Sequence, residues 1–197
     1  NSIYKLQNIN NASTIAVVPV TKNVGCVNGK TIQEFAGDLI FLAPDGFRTI
    51  AGTARIGDVE LGTISKAIQP IVNKILNSAF TFEFSSVVLR DKSQYRMYYS
   101  SDTQSTANSK GIIGTLTSRG FEWSETLGIQ APAVASGFNA AGREKMYHGD
   151  RGGYIYNHDT GNSFNPVGSE TNISAEFQSP DFDYGDFGTL KTLDHIK

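Results

Sequence analysis

The stretch "SSVVLRDKSQYRMYYS", residues 85–100, continued by "KGIIGTLTSRGFEWSETLG", residues 110–128, decides how this chain folds. Apolar and aromatic residues cluster there in short runs separated by turn-forming polar residues, the pattern of strands rather than helices. Four strands in up-and-down order fit it, joined at "RDKSQ", at the polar loop "SDTQSTANS" and at "SRG". From "AVASGFNAAGREKMYHG" through "GYIYNHD" to "NISAEFQSP" the same order recurs, with "EKMYHG" in the place of "YRMYYS" and "GGYIYNH" in the place of "KGIIGTL".

Three stretches share a smaller plan, a strand, a tight glycine turn and a second strand that opens with an aromatic. They are built on Gly46 and Phe47, on Gly120 and Phe121, and on Gly153 and Tyr154. Glycine supplies the positive φ of the turn, and the aromatic after it is expected to pack across the pair. Measured at Ile40, Met97 and Met146, the second strand of each larger unit recurs after 57 and then 49 residues. A four-stranded unit repeating at about 50 residues points to β-propeller blades, each of which covers its faces only against its neighbours. The fold class read from the sequence is therefore all-β, a partial β-propeller of four-stranded antiparallel blades. It spans residues 1–180, with residues 181–197 as an extended strand leading out.

Two clear blades and part of a third do not close a ring of the usual 4 to 8. The chain is then a segment of a longer polypeptide, which its first residue, Asn1, favours, or an open stack completed by something else. On this reading residues 1–197 expressed alone are expected to be insoluble or partly unfolded, because uncovered sheet faces are poorly tolerated in solution.

One stretch breaks the period. "ELGTISKAIQPIVNKILNS" places Ile64, Ile68, Ile71 and Ile75 on a helical stripe, with Thr63 as N-cap, which predicts a short helical insertion over about 62–77. Pro70 predicts a kink or two short helices. The stripe is expected to be covered by the chain's own domain. The insertion and the tail from Asp181 are nevertheless the candidates for contacts beyond the blade stack, since neither is needed to build a blade.

Composition narrows function. The 17 basic residues do not exceed the 19 acidic ones, so the chain lacks the basic excess of a protein that grips nucleic acid by its phosphates. The single cysteine, Cys26 in "NVGCVNG", excludes an internal disulfide framework and any multi-cysteine zinc site. No apolar run approaches the roughly 18 residues of a membrane span, so no membrane anchor is expected. The sequons at Asn11 and Asn172 carry little weight without a secretion signal.

Candidate chemical groups cluster in "KMYHGDRGGYIYNHDTGN", residues 145–162. It holds His148, His158, Asp150 and Asp159 around three glycines. In the hairpin reading the two histidines lie on paired strands and approach each other, but their spacing matches no metal signature, and the third histidine, His195, is remote in sequence. The tail "SPDFDYGDFGTLKTL" fails as a calcium loop, because Gly185, Asp186 and Thr192 stand where an oxygen ligand, a glycine and a glutamate are required. Glu122 and Glu125 are a glycosidase pair only by proximity in sequence. Trp123, Tyr95, Tyr98 and Tyr99 suit core packing better than stacking on a sugar or base. No Walker loop and no GxSxG elbow occurs. No catalytic, cofactor-binding or metal-binding residue is assigned, no cofactor is expected, and the protein is read as not an enzyme.

Taken in order, "GDLIFLAPDGFRTIAGTARIGDVELGTISKAIQP", "KSQYRMYYS", "KGIIGTLTSRGFEW", "YHGDRGGYIYNHDTGNSFNP" and "FQSPDFDYGDFGTLKTL" resemble the tail nozzle (tubular tail protein B) of short-tailed podovirus phages, over most of the chain from about residue 17. The resemblance implies a structural virion protein of the phage tail. Its implied form is a β-propeller-containing subunit in a homo-oligomeric, sixfold ring below the tail adaptor protein, lining the channel for genome ejection. Family members are much longer than this chain, which agrees with the segment reading. The implied partners are other copies, the adaptor protein and tail fibres, with DNA passing through transiently and without sequence-specific binding. A mildly acidic wall suits such passage, because it repels phosphates where a basic one would hold them. Two other classes stay open beside this one: a host-surface carbohydrate-binding β-propeller, which predicts exposed aromatics clustered on one face, and a propeller glycosidase, which predicts convergent carboxylates in a pocket.

Overall fold

Gly120 sits at φ +112° and opens a strand immediately after the "SRG" turn, so the hairpin that the sequence places there is formed. It belongs to a four-stranded sheet of β6 (Phe82–Leu89), β7 (Gln94–Ser101), β8 (Lys110–Thr117) and β9 (Gly120–Leu127). The strands are antiparallel and paired in sequence order without a crossover. The computed structural model describes residues 2–55, 63–77, 82–101, 109–161, 163–164 and 171–172. About half of these lie in strands, so the fold is all-β. Chain contacts divide the protein into two units, Asn1–Asp159 and Thr160–Lys197.

The first unit holds three further sheets. A hairpin joins β1 (Ile3–Gln7) to β2 (Ala16–Thr21). A three-stranded sheet follows, made of β3 (Gln33–Phe35), β4 (Asp38–Ala43) and β5 (Gly46–Thr49). Beyond the four-stranded sheet comes another three-stranded one, of β10 (Ala133–Phe138), β11 (Glu144–Gly149) and β12 (Ile155–Asn157). None of these sheets closes on itself.

The period-2 alternation of the central sheet explains how the three larger sheets stack. On β7, Tyr95, Met97 and Tyr99 face one way and pack with Phe35, Ile40, Leu42 and Phe47 of the β3–β5 sheet. Tyr98 faces the other way and packs with Val87, Leu89, Ala131 and Met146, on the side of β10–β12. Burying each such side chain fully is worth about 1.5–3 kcal/mol, so both interfaces are hydrophobic cores in their own right. Polar groups at the two interfaces add registration. The Tyr95 hydroxyl donates to the Thr31 carbonyl at 2.8 Å and Gln33 Nε2 to the Ser86 carbonyl at 2.9 Å, while Ser136 Oγ donates to the Val88 carbonyl at 2.8 Å.

Several expectations need correction. The repeat position on β4 is not Ile40: Met97 and Met146 face the sheet that precedes theirs in the chain, whereas Ile40 faces the sheet that follows, and Phe41 occupies the matching face. A shift of one residue reverses a strand's faces, so a spacing measured one residue off is enough to cause this. The β10–β12 sheet has three strands among the described residues; Ser163–Phe164 and Thr171–Asn172 pair as β13 and β14, and the rest of "NISAEFQSP", where a fourth strand was expected, lies outside the described residues. Gly153 does sit in a turn at φ +85°, but Tyr154 after it is exposed rather than packed across the pair.

The helical stretch is shorter than its stripe. Thr63 is not an N-cap; it bridges to Arg48, and a 3-10 turn over Lys66–Ile68 leads into a helix over Gln69–Asn77. Pro70 stands in the first turn of that helix, where a missing N–H costs nothing, so it starts the helix instead of kinking it. Val72 and Ile75 are buried in the core shared by the β3–β5 and β6–β9 sheets, so the apolar stripe of the insertion is covered by the chain itself, while Asn73 and Lys74 stay exposed. A second short helix, Ile50–Arg55, was not foreseen; taking it as α1 and Gln69–Asn77 as α2, α1 follows β5 directly. Its start is held by Thr49 Oγ1, which accepts from the Gly52 N–H at 3.1 Å, and by the Asp38 carboxylate, which accepts from the Ala51 N–H at 2.9 Å. The strand expected over residues 181–197 lies outside the described residues.

Candidate functional site

The hairpin of β11 and β12 brings together the residues that the sequence singled out. His148 pairs in register with Tyr156, and His158 follows one residue after β12, with its N–H donating to the Met146 carbonyl at 2.9 Å. His148 Nδ1 and His158 Nε2 approach to 2.5 Å with their rings at 68°. Tyr156 stacks on His148, and Tyr98 reaches His158 from β7. The turn is tied by Asp150, whose Oδ1 accepts from the Tyr154 N–H at 2.9 Å. The glycines of this stretch are thus explained by the hairpin.

Next to the imidazoles lies a cluster absent from the sequence reading. Arg96, buried on β7, donates from Nη2 to Asp159 Oδ2 at 2.9 Å and to Gln94 Oε1 at 2.7 Å. Lys92 reaches the same Asp159 oxygen at 2.7 Å. The available signal was Arg96 itself, a charge between Tyr95 and Met97 in a strand, because a buried guanidinium requires a partner. Asp159 adopts φ +57°, which turns the chain away after β12.

Electrostatics keep both rings neutral. Burial pushes the His158 imidazole down to about 4, assisted by His148 and by the Arg96 guanidinium. Burial lowers His148 as well, against the opposing pull of Asp150. At Asp159 burial acts to raise the carboxyl, but hydrogen bonds from Lys92 and Arg96 outweigh it and hold the group below the usual carboxylate range. Two neutral imidazoles sharing one hydrogen bond beside an Arg–Asp–Lys cluster form a satisfied polar network.

The chemistry of this network is limited. Neither imidazole bonds a serine, threonine or cysteine among the described residues, so no nucleophile is activated there. Among the described residues no three His, Cys, Asp or Glu side chains converge as a metal site would require. A cavity of about 130 Å³ opens beside the cluster, bounded by Lys92, Glu144, Lys145, His158 and Asp159. Two backbone amides of its lining residues are already used, since Asp91 N–H donates to Glu144 Oε2 and Glu144 N–H to Asp91 Oδ2.

The other candidates separate. Glu122 and Glu125 stand three apart on β9 and face opposite sides; Glu122 accepts from Thr117 Oγ1, and Glu125 accepts from the Tyr99 hydroxyl and pairs with Lys110. They do not converge. Tyr95, Tyr98 and Tyr99 are buried, and Trp123 stacks between Phe47 and Phe121 while its Nε1 donates to the Ile64 carbonyl at 2.9 Å. None of these rings presents a face for a ligand. Cys26 donates from Sγ to the Asn28 carbonyl. His195 and the acidic tail from Asp181 lie outside the described residues. No protein-family model matches the chain, and comparison with curated proteins finds no match.

Proposed function

We propose that this chain is a structural, non-enzymatic subunit of a bacteriophage tail, part of a nozzle that forms a homo-oligomeric ring around the channel for genome ejection. The observation that carries the reading is the stack. Three successive antiparallel sheets pack face to face in chain order, each covering its apolar faces against the next. Such stacking supports a partial β-propeller, in which a unit is stabilised by its neighbours rather than by a core of its own. The polar cluster at His148 and His158 then has a structural role, fixing the third sheet on the second. Partners on this reading are other copies, a tail adaptor protein and tail fibres, and the setting is the virion.

A second reading, a host-surface carbohydrate-binding propeller, draws on two exposed tyrosines of one hairpin, Tyr147 and Tyr154. Electron microscopy of the assembled full chain separates the two. A sixfold ring with an axial channel wide enough for duplex DNA is the expected result. Particles without a channel, together with saturable binding to host-surface glycans that is lost in Tyr147→Ala and Tyr154→Ala, would replace the nozzle with the receptor-binding reading.

A further inference from the structure

The β6–β9 sheet meets its two neighbours through unlike junctions. Among the described residues, the core on the β3–β5 side buries twelve apolar side chains, and the core on the β10–β12 side buries five, Val87, Leu89, Tyr98, Ala131 and Met146. With less apolar area to hold it, the third sheet depends more on polar contacts. Arg96 of β7 and Lys92 of the turn before it both bond Asp159, just past β12. Asp91 and Glu144 exchange bonds between backbone amide and carboxylate across the same junction.

His158 belongs to this junction. From β7 it is faced by Tyr98, with the rings 5.7 Å apart, and by the Arg96 cation, and from the turn before β7 by Lys92. On its own sheet it meets His148 and Asp159, and Glu144 and Lys145 of β11 line the adjoining cavity together with Asp91. His148 in turn faces Tyr156, stacked at 4.9 Å, and Asp150. The contact between His148 Nδ1 and His158 Nε2 holds one proton, so at least one ring must stay neutral to accept it. When both rings are charged, both facing nitrogens are donors and the bond is lost. A charge on His158 also adds a third cation to a place where one carboxylate, Asp159, already serves two.

We propose that the His148 and His158 pair is an acid-operated latch, whose protonation releases the β10–β12 sheet from β6–β9 while β3–β5 stays in place. The sign follows from linkage. A released imidazole regains its ordinary value of 6.5, whereas the docked His158 takes a proton only near 4, so between these values the released sheet binds more protons and acid favours it. Asp159 stays ionised through that window, because Lys92 and Arg96 hold its carboxyl below the usual range. The core between β3–β5 and β6–β9 contains no histidine among the described residues, so it lacks the group that titrates there. A fall in pH then loosens one end of the stack without unfolding the rest. The latch uses contacts within one chain and stands apart from the nozzle reading.

Hydrogen–deuterium exchange of the full chain, followed by mass spectrometry near pH 7 and near pH 5, tests it. Unstructured peptides of the same sequence supply the correction for the intrinsic pH dependence of exchange. Peptides of β10–β12 are expected to lose about tenfold in protection between the two conditions, the titration of His158 being discounted for its partial exposure. Peptides of β3–β5 and β6–β7 should keep theirs within about twofold. His158→Asn keeps a polar side chain that cannot titrate, and should reduce the tenfold loss to about twofold. His148→Asn is run beside it and should also lessen the loss, so that a folding defect in one variant, visible near pH 7, leaves the other to decide. Equal loss in all three sheets overturns the latch, because acid then acts on the whole fold. Undiminished protection of β10–β12 near pH 5 overturns it as well, as does the full wild-type loss in a variant that is normally protected near pH 7.

Discussion

His148 Nδ1 and His158 Nε2 face each other across 2.5 Å at the end of the β11–β12 hairpin, and both rings are held neutral by burial. In the unfolded chain His158 takes a proton near 6.5, and in the folded protein only near 4. Between these values the unfolded state binds more protons, so stability falls as pH drops from about 6.5 toward 4 and is level in His158 below that. With His158 only partly buried, its contribution to the loss is roughly 2 kcal/mol. Urea unfolding across this range should show the decline, and His158→Asn should flatten it. A variant with the wild-type slope would mean that other groups govern acid sensitivity.

Asp159 bonds both Arg96 and Lys92, but its loss should weigh more on the buried Arg96 than on the half-exposed Lys92. Arg96 is 5% exposed and loses its carboxylate partner in Asp159→Asn, whereas Lys92 is a surface cation with water as a substitute. Asparagine tolerates the positive φ of this position, so the change isolates charge from backbone. Asp159→Asn should cost about 2–3 kcal/mol and Lys92→Ala less than about 1 kcal/mol. Equal effects in chemical denaturation would show that the buried pair has no special weight.

Gly114 and Gly120 are both glycines of the β8–β9 hairpin, and substitution separates their reasons. A Cβ on Gly114 would come within 2.7 Å of the Trp123 ring, which has no room to move between Phe47 and Phe121. Gly120 has open space around it but a φ of +112°. Gly114→Ala should therefore destabilise by about 1–3 kcal/mol through overpacking. Its rescue by Trp123→Phe is the check, since a smaller ring relieves a clash and leaves backbone strain untouched. Gly120→Ala should be insensitive to Trp123→Phe.

The contrast between these glycines shows what the sequence reveals and what it hides. Gly46, Gly120 and Gly153 announce turns because a positive φ is a local demand, and the hairpins are legible for that reason. The alternation of Tyr95, Met97 and Tyr99 against Tyr98 shows that β7 has two occupied faces, but not which sheet lies on either. Gly114 carries no local signal at all, since its reason is a tryptophan nine residues on in sequence and opposite it in register. Arg96 is hidden in the same way; its partner Asp159 is 63 residues distant. A 57-residue spacing from Ile40 to Met97 does not show a face, because one residue is the whole difference between the two sides of a strand, and Phe41 holds the matching one. The pairing of the histidines was legible, because a short hairpin brings its own strand ends together.

The last prediction concerns where the fold opens first. β7 has hydrogen-bonded neighbours on both edges and a hydrophobic core on each face, with Met97 and Tyr98 on opposite sides. The β1–β2 hairpin has one paired edge per strand and an exposed apolar face. Amide exchange reports local opening, and its free energy rises with the number of buried contacts that must break. Met97 and Tyr98 should be among the slowest amides and exchange only by global unfolding, while the hairpin amides exchange through local opening at concentrations where copies do not associate. Hairpin amides as slow as those of β7 in dilute solution would show that the hairpin opens only with the whole fold.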